Sequence, residues 1–356
     1  MQLDGLVADM KSTRAVRVGN VVIGGDNPVL IQSMTNTDTC DIDKTLAQIE
    51  ALTAAGCEAV RCTFNNAECA DAFKQIKKSI DIPLIADVHF DHELAILALQ
   101  NGADKVRINP GNIGGQAELE KVVQCAKGLG KAIRVGVNSG SLEKQIQDEY
   151  GVSAKALAMS AVNSVRFVHS LGFYDVVASI KSSSVPVCVE ACRMFAEQCD
   201  APQHIGITEA GTYNNAIIKS AVGLGALLLD GIGDTIRVSI TGDPVYEIEA
   251  AQRILQSAGI RTFFPEVISC PTCGRTKIDV SELAEKVEAI LQAENKRITA
   301  AVMGCAVNGP GEAKHADIGI AGGGKKAALF AKGELVGTYE QGDVLEAFTS
   351  YIRQNF

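Results

Sequence analysis

The chain has 356 residues, 47% of them apolar and 21% charged, and a formal net charge of -9. That length calls for one large domain plus a smaller one, and the acidic balance excludes a surface built for nucleic acid, which needs clustered excess Lys and Arg. The longest uncharged apolar stretch, Ser220 to Leu229, is about half of the roughly 20 residues that span a membrane, and Asp4 and Asp9 stand where a basic leader would lie, so the reading is a cytoplasmic protein with no membrane span.

From Pro28 to Gln256 short β-like runs alternate with amphipathic helical segments, the pattern of parallel strands joined by crossover helices. The strands are expected at 29–34, 59–64, 83–89, 105–110, 132–138, 175–181, 204–210 and 235–241, with helices at 43–55, 67–79, 92–101 and 153–171 among the connections. Eight such units predict a (β/α)8 TIM barrel over residues 1–259 rather than a doubly wound sheet, because no glycine-rich phosphate turn follows the first strand. Gly223-Leu224-Gly225 lies inside a helical pattern and reads as helix packing.

After the eighth helix, from about residue 260 to 356, the grammar changes to cysteine turns, a charged helix over 281–295, and strands near 297–303, 318–321 and 334–338. This segment is expected to be a smaller α+β domain.

In a barrel of this type the active site lies where the strands end. Those ends carry Arg61, Asp87, His89, Arg107, Asn109, Arg134, Asn138, Lys181, Glu209, Arg237 and Ser239. An inward Arg must meet an anion or suffer a large desolvation penalty. A phosphorylated ligand satisfies several guanidinium forks at once. The alternative is a set of internal ion pairs in which Arg61, Arg107 and Arg134 meet Asp87 and Glu209, and the two readings can share residues. Asp87, His89 and Glu209 are the candidates for proton handling.

Eleven cysteines without a disulfide framework point to reduced thiols. Cys57, Cys62, Cys125, Cys188 and Cys192 lie in apolar patterns and are expected in the core. Cys270-Pro271-Thr272-Cys273 is different: with Cys305 from a second loop it forms a three-thiolate platform. Such a platform suits an iron-sulfur cluster with one iron left for an exchangeable ligand, and the turn Asn308-Gly309-Pro310-Gly311 can aim Glu312 at it. A structural zinc on Cys270, Cys273, Cys305 and His315 is the competing assignment; it would go with a barrel lyase or transferase acting on a phosphorylated substrate.

Seven ordered motifs carry a resemblance across essentially the whole chain. They are Ile31-Gln32-Ser33-Met34-Thr35-Asn36-Thr37, Ala86-Asp87-Val88-His89-Phe90, Val106-Arg107-Ile108-Asn109-Pro110-Gly111-Asn112, Arg134-Val135-Gly136-Val137-Asn138-Ser139-Gly140-Ser141, Gly206-Ile207-Thr208-Glu209-Ala210-Gly211, Cys270-Pro271-Thr272-Cys273-Gly274-Arg275, and Met303-Gly304-Cys305 through Glu312-Ala313. The chain resembles bacterial 4-hydroxy-3-methylbut-2-enyl diphosphate synthases of the non-mevalonate isoprenoid pathway. The resemblance implies a TIM barrel followed by a cluster domain similar to part of sulfite reductases. It implies a 4Fe-4S cluster on Cys270, Cys273, Cys305 and, at rest, Glu312. It further implies reductive opening and dehydration of 2-C-methyl-D-erythritol 2,4-cyclodiphosphate, flavodoxin or ferredoxin as electron donor, and a head-to-tail homodimer. Arg61, Arg107, Asn109, Arg134, Asn138, Lys181 and Arg237 would then hold the cyclic diphosphate.

Overall fold

The structure is a computed structural model that describes residues 10–305 and 316–356. The chain divides between Arg261 and Thr262 into two compact units. A short antiparallel hairpin, β1 (Val16–Val18) and β2 (Val21–Ile23), precedes eight parallel strands. These are β3 (Leu30–Met34), β4 (Ala59–Thr63), β5 (Leu84–Asp87), β6 (Lys105–Ile108), β7 (Ala132–Asn138), β8 (Val176–Lys181), β9 (His204–Ile205) and β10 (Thr235–Ile236).

Their order is β8-β7-β6-β5-β4-β3-β10-β9, and a parallel bridge between Ala178 and Gln203 joins the two ends. Ala178 N–H donates to the Pro202 carbonyl at 2.9 Å across that seam. The sheet is therefore closed, as the alternation of elements predicts. The hairpin packs its Val16, Val18 and Ile23 on Leu30, Ala132 and Val177, which begin β3, β7 and β8. It covers the N-terminal end of the barrel and leaves the C-terminal end for ligands.

The helices start where short polar side chains accept the first free backbone N–H groups. Asp41 caps 42–54, Asp91 caps 92–100 and Ser153 caps 154–170. Gly223, inside the helix Tyr213–Leu229, sits where a Cβ would come within 2.6 Å of Ile207, so that glycine serves close packing.

The seventh and eighth strands are far shorter than 204–210 and 235–241. Beyond Ile205 the backbone leaves the ladder: Glu209 takes φ +51 and Gly211 φ +104, conformations no β-strand contains. Cys57, Cys62, Cys188 and Cys192 are buried as expected, whereas Cys125 is only half-buried, because its helix carries it toward the solvent side. At the junction, Arg261 forms a two-pronged pair with Glu58 at 2.8 and 2.9 Å and donates to the Val29 carbonyl.

The second unit is a five-stranded mixed sheet, β11 (Glu266–Ser269), β12 (Thr299–Met303), β13 (Ile318–Gly322), β14 (Lys326–Ala331) and β15 (Glu334–Glu340). The first three strands run parallel and the last three antiparallel. Helices Val280–Ala293 and Val344–Asn355 contribute Val280, Val287, Leu291, Val344, Phe348 and Ile352 to one apolar core with Val302, Ile318, Ile320 and Leu329. The strands β11 and β14 and the C-terminal helix were not among the sequence expectations. Among the described residues no helix is long and apolar enough to cross a membrane.

Candidate active site

Strand periodicity builds the barrel site. Alternate residues of a strand point to the same face, so Lys105 and Arg107 on β6 both enter the barrel interior, as do Arg61 on β4 and Arg134 on β7. Arg134 and Lys105 are fully buried, and Arg61, Arg107 and Lys181 nearly so. Arg237, just past β10, is mostly buried as well. Glycines clear the space: a Cβ on Gly136 would lie 2.6 Å from Arg107 Nε, and one on Gly206 would lie 3.1 Å from Lys181 Nζ and 2.7 Å from the Arg237 carbonyl.

Two buried carboxylates answer these six cations. Asp87 stands 3.8 Å from Arg61 Nε and 3.4 Å from Arg107 Nη1. Glu247 takes Arg237 in a fork at 3.0 and 3.1 Å and also accepts from Ser33 Oγ and the Ile240 N–H. Arg61 Nε and Arg237 Nη1 additionally meet the Met34 sulfur, at 3.1 and 3.6 Å. Arg134 keeps Nε and Nη1 without a hydrogen-bond partner, and Lys105 keeps Nζ so. Lys181 makes no ion pair among the described residues.

The electrostatics follow. Burial, with Arg237 and Arg107 adding to it against the pull of Asp87, pushes Arg61 down to about 10. Burial and the neighbouring guanidinium groups push Arg134, Lys105 and Lys181 well below their ordinary values. Burial alone would raise Asp87, but Arg61, the His89 hydrogen bond, Arg107 and Arg134 together outweigh it and hold the carboxyl below its ordinary range.

His89 is half-exposed above this layer, with Nε2 3.4 Å from Asp87 Oδ2 and Nδ1 3.3 Å from Arg107 Nη1. The tautomer that satisfies both has Nε2–H donating to Asp87 and Nδ1 accepting from Arg107. Phe90, the next residue, is exposed at φ +65, a conformation that L residues seldom adopt outside constrained sites. With its amide oxygen facing Arg107, Asn138 accepts from Nη2 at 3.1 Å. Asn109 is buried and its side-chain oxygen accepts from Gly111 N–H at 3.0 Å, which shapes the loop after β6.

The structure thus groups Arg61, Asp87, His89, Arg107, Asn138 and Arg237 through direct contacts or shared partners, with Arg134 and Lys181 in the same electrostatic field. Glu209 is exposed and makes no ion pair among the described residues, so the internal pairing of cations with Glu209 does not occur. The pairing of Arg61 and Arg107 with Asp87 does. Lys105, Glu247, Met34 and Gly136 were missed. Lys105 had a readable signal, its period-two spacing from Arg107; Glu247 had none, because it reaches the site from the helix Val245–Ser257.

In the second unit the parallel register does the assembling. Ser269 pairs with Val302, so Cys270 and the Met303-Gly304-Cys305 turn leave adjacent strand ends side by side. Cys270, Cys273 and Cys305 line one cavity of ≈ 130 Å³ with Thr272, Arg275 and Gly304. Gly304 N–H donates to Cys270 Sγ at 3.2 Å, the kind of bond that stabilises a thiolate ligand. A hydrogen bond from the Arg275 backbone, and its charge, lower Cys273 below the ordinary thiol value. Among the described residues no group of three or more His, Cys, Asp or Glu is placed to hold a metal ion. Glu312 and His315 lie outside the described residues.

A closed (β/α)8 barrel with a buried cationic layer, carried on one chain with a smaller three-thiol domain, defines a TIM-barrel enzyme with a cysteine-bearing second domain. The chain belongs to the GcpE family: residues 13–252 match its TIM-barrel domain and residues 266–354 its C-terminal domain. A relative from Caldanaerobacter subterraneus is 52% identical over 97% of this chain and 97% of its own length. One from Nitratidesulfovibrio vulgaris is 53% identical over 95% of this chain and 88% of its own. Both bear the name 4-hydroxy-3-methylbut-2-en-1-yl diphosphate synthase (flavodoxin). Among solved structures, dihydropteroate synthase from Stenotrophomonas maltophilia superposes with TM-score 0.51 at 11% identity, covering 69% of this chain and 98% of that one. N-acetylneuraminic acid synthetase from Leptospira borgpetersenii gives 0.51 at 14% identity over 80% and 99%. At such identity these two show the barrel fold alone.

Proposed function

We propose that this chain is a 4-hydroxy-3-methylbut-2-enyl diphosphate synthase, reducing 2-C-methyl-D-erythritol 2,4-cyclodiphosphate to the linear diphosphate in isoprenoid biosynthesis. The balance is two electrons and two protons taken up, one ring C–O bond opened and one water released. The observation that carries the reading is Arg134: a fully buried guanidinium with two unpartnered nitrogens, in a layer of six cations and two carboxylates, is a site waiting for a multiply charged anion. The name that the full-length relatives bear, a diphosphate synthase, supports a diphosphate as that anion.

Arg61, Arg107, Arg134, Lys181 and Arg237 hold the diphosphate, and Asn138 orients Arg107. Asp87 stays ionised and fixes His89, whose half-exposed ring is the best placed of the three proton-handling candidates. Glu209 sits on a strained backbone at the rim and faces solvent. Cys270, Cys273 and Cys305 fit a 4Fe-4S cluster: they share one cavity, one thiol receives an N–H bond, and another is biased toward thiolate. Bound there, the cluster supplies electrons one at a time and a Lewis-acidic iron. Glu312, outside the described residues, would be its exchangeable fourth ligand. Flavodoxin or ferredoxin is the donor, and the working form is a homodimer in the cytoplasm.

Anaerobically purified protein is expected to be brown, with a broad band near about 400 nm that dithionite bleaches. A colourless protein with stoichiometric zinc would overturn the cluster assignment and favour the barrel lyase or transferase.

A further inference from the structure

We propose that Lys105 is a positioning residue for the diphosphate: it is neutral in the ligand-free barrel, takes up a proton as the anion binds, and thereby makes substrate binding proton-coupled. This rests on the reading of the barrel as a diphosphate site.

Lys105 lies one inward position below Arg107 on β6, fully buried, with no partner for Nζ. Its register partners on the flanking strands, Ile85 and Ala132, are apolar. The charged and titratable groups around it are Arg107 on its own strand, Arg61 on β4, Arg134 on β7 and His204 on β9. None offers a negative charge. Asp87 is engaged with Arg61, Arg107 and His89, and Glu247 with Arg237 and Ser33.

Such a stack cannot stay fully charged without an anion. Guanidinium groups keep their protons in proteins, whereas a desolvated amine gives its proton up. Lys105 is therefore the member that yields, and burial with the field of Arg134 and Arg61 acts in that direction. His204 is neutral for the same reasons, with Nδ1 2.6 Å from Thr235 Oγ1. Lys181 feels the same field but stands on β8 at the mouth, 8% exposed where Lys105 is 0%. An anion seated against Arg134 reverses the field at Lys105, which then gains a proton and supports the guanidinium layer from below. In a cyclic diphosphate each phosphorus carries a single strongly acidic oxygen, so the ligand itself does not titrate near neutrality. Any proton taken up belongs to the protein.

The test is calorimetric titration of the cluster-loaded protein with the cyclic diphosphate at pH 8, in buffers of different ionisation enthalpy. The wild type is expected to take up about one proton per site, with Kd rising by up to about tenfold per pH unit as the solution is made more alkaline. In Lys105→Met the uptake drops by more than half and the rise of Kd with pH shrinks in the same proportion, to less than about threefold per pH unit, while turnover shows a raised KM and an unchanged kcat. Lys105→Gln serves the same purpose if the methionine variant does not fold. Absence of uptake in the wild type, or equal uptake in the Lys105 variant, overturns the proposal. A wild-type protein that binds no cyclic diphosphate at all overturns the functional reading and this inference with it.

Discussion

The two units present opposite solutions to holding a reactive site. In the barrel Arg61, Lys105, Arg107, Arg134 and Lys181 sit on strands, buried, and with Arg237 they face only two carboxylates, so the fold itself stores uncompensated charge. In the second unit the three thiols sit on turns at the ends of β11 and β12, partly exposed, and the surrounding core is apolar and satisfied. Rigid strands can carry buried charge because neighbouring ladders fix the side chains; loops can carry soft ligands because they adjust around what they hold. Uncompensated charge is thus built into the first unit and a set of soft ligands into the second.

Changes in the thiol unit should have the largest effect and leave the barrel untouched. Cys305→Ser is expected to abolish bound iron, colour and turnover together, while the protein still binds the cyclic diphosphate in calorimetry. Glu312→Ala should keep the iron and lose most of the turnover; full activity in that variant would remove Glu312 from the ligand set.

Breaking an ion pair and removing an unpaired charge in the barrel should have opposite signs. Glu247→Ala leaves Arg237 buried alone and is expected to lower stability by about 3–5 kcal/mol, measured by denaturant unfolding. Arg134→Leu removes a charge that has no partner, so the ligand-free protein should melt a few degrees higher, while diphosphate binding falls by about a hundredfold or more. A lower melting point for Arg134→Leu would show that this guanidinium is compensated.

Smaller effects test the packing and the titrations. Gly136→Ala pushes a Cβ against Arg107 Nε and should raise KM by about tenfold, roughly 1.4 kcal/mol, without altering the cluster band. Because Lys105 has a depressed folded value, the unfolded chain binds more protons across the interval up to about 10.4, and the penalty for burying that lysine shrinks as pH rises. Asp87 has the same sign in a lower window: its contribution is present above about pH 4 and is lost as pH falls. Wild type and Lys105→Met, compared by melting temperature between pH 7 and 9, should differ in slope, with the wild type rising more.

Much of this was legible in the sequence, and for physical reasons. Burial on both faces makes parallel strands continuous apolar runs, so β3 to β8 could be placed nearly to the residue, and an Arg interrupting such a run marks itself. Tertiary close approach, such as that of Gly206 to the Arg237 carbonyl, leaves no local trace, which is why the sequence pattern carries β9 and β10 past their ends at Ile205 and Ile236. Glu247 could not be connected to Arg237 without the barrel closed, and Lys105 was overlooked beside Arg107 although the alternation pointed at it. In the second unit the cysteine spacing was readable, but the parallel pairing of β11 with β12 that joins Cys270 to Cys305 was not.

The decisive experiment is anaerobic turnover of the cyclic diphosphate with reduced flavodoxin, followed by phosphorus NMR. The two ring phosphorus signals should give way to those of a linear terminal diphosphate, one product for every two electrons consumed. A protein that binds the cyclic diphosphate, carries iron and returns the ring unopened would contradict the proposed function.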